Sequence, residues 1–237
     1  MAGATALLGA TVSVVASFAP PLRSAARHYV VFESLQFALL ALVTPALVVV
    51  GAAWADRSPN RRSPSFLDHW SRSKKTGFRG VLPALLAYIG ALVVWQLPGV
   101  VDAVQTTPAL TVLEGVAFFI AGTRLWSELV STPQTSTSTG RAGRIGLAVL
   151  PMWTIWVLAY FIGFARSTWF PSLTHPSTVI STLADQQFAT GLLWTVSAMV
   201  FLPVIFSNFI GFLSDDGDLG GEPRRFPRRE HRTSKAS

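Results

Sequence analysis

No cysteine occurs in the 237 residues, which removes disulfides, thiolate metal sites and thiol nucleophiles together. Charge is scarce as well, at 13% Asp, Glu, Lys and Arg against about 25% in ordinary soluble domains. The other side chains that bind soft or borderline metals are few: His28, His69, His175 and His231, with Met1, Met152 and Met199. Gly-x-Ser-x-Gly, Gly-x-Gly-x-x-Gly and His-Glu-x-x-His are all missing, so the usual signals of hydrolases, dinucleotide enzymes and zinc proteases are absent. An enzyme is not expected.

What is present is apolar. Half of the residues are hydrophobic, and they fall into six runs, which places the chain among all-α, polytopic membrane helix bundles. The run Phe37 to Ala55 contains no charge. At 1.5 Å per residue it nearly spans a bilayer core of about 30 Å. The expected helices cover about 3–19, 31–55, 81–103, 108–130, 145–164 and 187–212, within a membrane unit over 1–213. Ala16-Ser17-Phe18-Ala19 also resembles a signal-peptide cleavage site, but no Lys or Arg precedes the apolar stretch, which favours a retained helix. Pro20-Pro21 ends that first run and leaves Leu22 to Val31 as a short loop. Pro45 removes a backbone donor from the second run, so a kink is expected near Leu42, with Thr44 or a neighbouring helix satisfying the freed carbonyl.

The polar connections are basic. Loop 56–80 places Phe66, Leu67 and Trp70 at helical spacing among Arg and Lys, which suits either a helix lying on an anionic leaflet or a solvated loop. Residues 131–140 are Ser/Thr-rich without periodicity, and 214–237 reads as a disordered polar tail. In a soluble protein the net charge of +7 would suggest nucleic acid; in a bundle it reports topology. All but Arg23, Arg27 and Arg166 of the 19 Lys and Arg residues fall on one side of the six-helix arrangement, so both termini are expected in the cytoplasm of a cell-membrane protein.

With that orientation a set of polar side chains gathers toward the outer face: His28, Glu33, Gln36, Asp102, Glu114, Asp185, Gln186 and Gln187. Ionisable groups at membrane depth cost about 2.5–3.5 kcal/mol on insertion scales, so four carboxylates near one level suggest a shared pocket. Glu33 and Gln36, three apart, lie on one helix face. Glu114 sits deepest and is hardest to explain as an end cap. The three glutamines also suit interhelical hydrogen bonding, and Asp102 and Asp185 suit helix termini. The pocket would hold a cation, conduct protons, or join the helices; as a metal site its weak candidates are His28, Glu33 and Glu114.

The order of these pieces resembles the CtaG-type cytochrome c oxidase assembly factors. The likeness runs from Ala19-Pro20-Pro21 through Glu33-Ser34-Leu35-Gln36-Phe37, Thr44-Pro45-Ala46, Trp95-Gln96-Leu97-Pro98 with Asp102, Leu113-Glu114 with Phe118, and Leu150-Pro151-Met152. It ends on Asp185-Gln186-Gln187 and Gly191-Leu192-Leu193-Trp194, and covers roughly Leu8 to Phe212. The resemblance implies a membrane bundle that helps supply copper to a terminal oxidase, with oxidase subunits and the lipid bilayer as partners. It also implies histidines where this chain has Glu33, Phe37, Gln96, Thr111 and Gly115, while Gln36 and Glu114 are kept. The expected scaffold is retained, with six helices where seven are usual, and the copper site is degenerate, because carboxylates suit harder ions than Cu(I). The rival is a small cation or proton transporter using Glu33, Asp102, Glu114 and Asp185, although no internal repeat supports it.

Overall fold

In the computed structural model, which describes residues 2–56, 78–130, 139–173 and 180–218, the apolar runs become helices and no strand occurs among the described residues. Their order is α1 (Ala2–Phe18), α2 (Pro20–Ala26), α3 (Val30–Ala38), a π-helical turn (Leu39–Val43), α4 (Thr44–Asp56), α5 (Phe78–Val94), α6 (Pro98–Thr106), α7 (Pro108–Leu129), α8 (Arg141–Phe164), a 3-10 turn (Pro171–Leu173) and α9 (Thr182–Asp218). Four helices are long and apolar enough to cross a membrane, or six if each of two bent pairs counts as one span. Large apolar side chains such as Val112, Ile120, Trp153, Phe161, Met199 and Ile210 point outward. That inverted surface suits hydrocarbon rather than water.

The bends fall at prolines. Leu22 to Ala26, expected as loop, continues as α2 after a turn of 54° at Ala19: proline at the first helical positions lacks only a donor that would be unpaired there anyway. The run expected over 81–103 divides instead into α5 and α6, inclined at 77°, because Pro98 starts a new helix after the extended Leu97. The last helix begins before Asp185 and extends past Phe212. The surface helix suggested near Trp70, the Ser/Thr-rich connector over 131–138 and the tail beyond 218 lie outside the described residues.

The central span Val30–Ala55 is distorted where its proline requires it. Pro45 has no N–H, and Ala41, four residues earlier, is the carbonyl that this N–H would have bonded. The chain widens into the π-helical turn immediately before it, a common accommodation of such a break. The Tyr88 hydroxyl on α5 then donates to the Ala41 carbonyl at 2.6 Å. Thr44 does not take that role; its hydroxyl donates to Ser13 Oγ of α1 at 3.0 Å.

Close packing surrounds this distortion. A Cβ on Gly122 of α7 would lie 2.6 Å from Pro45 Cγ and 3.3 Å from Tyr88 Cε2, so glycine permits α7 to meet the proline ring. A Cβ on Gly51 of α4 would lie 2.8 Å from Leu7 Cγ of α1, the small-residue approach typical of membrane helices. Phe37 meets Phe118 edge-on at 5.2 Å, and Trp126 stacks on Phe201 at 5.5 Å, closing the centre with rings rather than polar groups.

Removing the strut at the π-helical turn has a defined consequence. Tyr88→Phe leaves a buried carbonyl unbonded, a loss of about 1–3 kcal/mol, and thermal unfolding in detergent should shift down by about 2–4 °C per kcal/mol. Adding Pro45→Ala, which restores an N–H, should recover part of the loss. Equal melting temperatures for Tyr88→Phe and wild type would contradict the assignment.

Candidate functional site

The first turns of α3 carry Glu33, Gln36 and Phe37 on one face. All three are buried, and this face meets α6 and α7. Together with Trp95, Val101, Val104, Gln105 and Glu114 they line a cavity of about 10 Å³, close to the least space that one water needs, about 10–15 Å³. Gln96, 2% exposed, approaches from the break between α5 and α6. Its amide lies beside the Glu33 carboxyl, yet neither its nitrogen nor its oxygen makes a well-formed hydrogen bond.

The two carboxyls of the cavity are differently held. Glu33 Oε2 accepts a long hydrogen bond of 3.4 Å from Ser34 Oγ. Glu114, 7% exposed, makes no hydrogen bond among the described residues and lies close enough to Glu33 for their charges to interact. Two carboxyls and three amides around so small a space can hold a proton, a water or a small hard cation. Gln105 is turned partly away, its Nε2 donating to the Ala26 carbonyl at 3.3 Å, which ties α6 to the end of α2.

The remaining members of the polar set are elsewhere. Asp185 reaches from α9 to the start of α3, where Oδ2 accepts the Val30 N–H at 2.7 Å and Oδ1 the Val31 N–H at 3.2 Å. It serves as a cap supplied by another helix, since Tyr29 at the capping position offers no side-chain bond. Gln186 is fully buried: Nε2 donates to the Ile162 carbonyl and Oε1 accepts the Trp169 N–H, both at 2.6 Å. Gln187 is exposed. Asp102 Oδ1, midway along α6, accepts from Ser172 Oγ.

The single pocket expected for these side chains therefore divides. Glu33, Gln36 and Glu114 share the cavity, Asp185 and Gln186 are interhelical struts, and Asp102 and Gln187 lie outside. Gln105 is the cavity residue that sequence reasoning missed: its position on α6 depends on the bend after Val94, which no periodicity revealed. Gln96, beside Glu33, stands where the resemblance implies a histidine.

Of the positions that the family resemblance assigns to histidines, Glu33 and Phe37 line this cavity, Gln96 abuts Glu33, and the Thr111 hydroxyl donates to the Val104 carbonyl at 3.3 Å, whereas Gly115 faces Phe18 of α1 instead. His28 is exposed at the end of α2 rather than in the cavity, and His175 falls outside the described residues. No group of three or more His, Cys, Asp or Glu side chains able to hold a metal occurs among the described residues. Met152 is buried in the core of α8. The donor set, carboxylate and amide without imidazole or thioether, does not fit Cu(I).

Comparison with known proteins adds one finding. The sequence model of the family described as cytochrome c oxidase caa3 assembly factor (Caa3_CtaG) matches residues 3–215. No curated protein and no solved structure matches.

The division between struts and cavity is measurable. Asp185→Ala should cost about 0.5–2 kcal/mol of stability, the usual worth of a helix cap, and lower the melting temperature. Glu114→Gln removes a buried carboxyl with no hydrogen-bond partner among the described residues and should leave stability unchanged or raised. The reverse order would reassign both residues.

Proposed function

The chain belongs to the cytochrome c oxidase caa3 assembly factor family, and from that premise we propose that it acts in the cell membrane as a non-catalytic assembly or interaction factor for a terminal oxidase, with a degenerate metal position. With each bent pair counted as one span, the Lys and Arg asymmetry between the two sides supports both termini lying in the cytoplasm. The cavity then opens toward the outer half of the bilayer, where the donors differ in kind from those that a copper carrier needs. The observation that carries the proposal is the carboxylate and amide lining at Glu33, Gln36, Gln96 and Glu114 on a scaffold matched by the family over 3–215.

Oxidase subunits are the partners that the family supplies, and the bilayer is the solvent. What the chain contributes is a rigid polar recess beneath the α5–α6 elbow and the lipid-facing surfaces of α7, α8 and α9. A second reading draws on the Glu33 and Glu114 carboxyls facing one cavity: a proton or cation path with those two groups as its site. Flux into liposomes, lost in Glu114→Gln, would favour that path over assembly.

Deletion of the gene should lower the amount of assembled oxidase, read from haem absorbance and native gels, and the wild-type gene should restore it. Purified protein exposed to Cu(I) under reducing conditions should retain well under one ion per chain. Normal oxidase after deletion would remove the assembly role, and tight stoichiometric Cu(I), abolished by His28→Ala, would remove the degenerate-site description.

A further inference from the structure

At the end of the bundle that carries the carboxylate cavity, two neighbouring recesses open on the surface and share one side chain, Phe18 of α1. The first is a groove of about 360 Å³ between α1 and α7, walled by Val14, Val112, Val116 and Phe119 and floored by the buried Leu40 and Thr44 of the central span. Thr44 is the only polar side chain among its lining residues, and its hydroxyl donates to Ser13 Oγ, so the groove presents hydrocarbon. The second recess, of about 480 Å³, is lined by Pro20, Arg23, Ser24 and Arg27 around α2 and by Pro108 at the start of α7.

The fold makes the two recesses continuous. The Phe18 ring reaches across to α7, where a Cβ on Gly115 would lie 3.4 Å from its Cζ, and the chain then bends by 54° into α2. That bend brings Arg23 and Arg27, four residues apart and so on one helix face, beside the same ring. Neither guanidinium has a hydrogen bond or ion pair among the described residues, and no carboxylate lines the recess. Every Asp and Glu outside the described side chains belongs to a segment attached at the end of α4 or of α9. Both ends lie at the opposite side of the bundle: the end of α4 meets the start of α1 at Ala55 and Gly3, and α9 meets Val30, just after α2, with its first turn.

Guanidinium groups form forked hydrogen bonds that match phosphate oxygens, and a groove of hydrocarbon suits an acyl chain. A glycerophospholipid joins the two chemistries in one molecule, with its phosphate directly above its chains. We propose that Arg23 and Arg27 bind the phosphate of an anionic glycerophospholipid whose acyl chain passes Phe18 and lies in the α1–α7 groove. A zwitterionic lipid brings the same phosphate together with an ammonium group that the two guanidinium groups repel, so the site prefers a headgroup of net negative charge. The proposal is independent of the role in oxidase assembly. A lipid so placed joins α1, α2 and α7 over the central span, beside its π-helical turn.

Full-length protein in nanodiscs of phosphatidylcholine and phosphatidylglycerol, released into native mass spectrometry, should retain phosphatidylglycerol in preference to phosphatidylcholine. Each guanidinium removed should cost about fivefold in that preference, so the Arg23→Gln/Arg27→Gln variant should lose nearly all of it. Val116→Trp, which fills the groove from an exposed position on α7, should lower the retention of phosphatidylglycerol with both arginines in place. Circular dichroism and melting temperature should match wild type in both variants. Arg166→Gln, at an exposed arginine of the same end, should leave the preference unchanged and so separates the site from net charge. No preference in the wild type, a preference that survives the loss of both arginines, retention unchanged by Val116→Trp, or an equal loss in Arg166→Gln would overturn the proposal. So would saturable binding of glycerol phosphate in neutral detergent without lipid retention, which would assign the arginines to a free anion, or a protein mass in place of lipid, which would assign the groove to a partner helix.

Discussion

A helix in hydrocarbon has no water to complete its backbone bonding, and Pro45 places an unbonded carbonyl at Ala41 in the middle of the central span. Much of the bundle is arranged around the answer to that deficit. The π-helical turn at Leu39–Val43 absorbs the extra residue, Tyr88 supplies the missing hydrogen bond, and Gly122 lets α7 close over the proline ring. On the opposite side Thr44 and Ser13 link the same turn to α1. Three neighbouring helices are thereby fixed to one point by interactions that tolerate little displacement.

This rigidity positions the polar recess one to two turns away. Glu33 and Gln36 project from α3 just before the distortion, and the α5–α6 elbow folds Trp95, Gln96 and Gln105 back over them. Asp185 holds the start of α3 from α9, and Gln186 joins α9 to the end of α8 and to the segment after it. The recess is polar because each wall contributes one or two such groups, and it is small because the aromatic pair Phe37 and Phe118 packs immediately beneath.

Family membership and ligand chemistry separate cleanly in this chain. The resemblance rests on prolines, the Asp-Gln-Gln sequence and aromatic positions, and within that sequence Asp185 and Gln186 join helices. The positions expected to carry imidazoles hold Glu33, Phe37, Gln96, Thr111 and Gly115. Packing and hydrogen bonds join the helices around them, and a lining of carboxylate and amide suits a proton, water or a harder ion better than Cu(I).

The apolar runs alone determined that the chain is a helical membrane bundle, since length and hydropathy are properties of consecutive residues. Pro45 likewise announced a distortion of the central span, which takes the form of a π-helical turn, and the motif order announced the family. Tertiary structure alone decided which polar side chains meet. Asp185 and Glu33 are both acidic residues near helix starts, yet one accepts backbone hydrogen bonds across the bundle and the other faces a cavity. The difference comes from the 77° bend at Pro98 and the docking of α9 on α3, through-space relations between distant segments, 155 residues apart for the Asp185 contact. Periodicity records which face of a helix is polar; it carries no information on which other helix that face will meet.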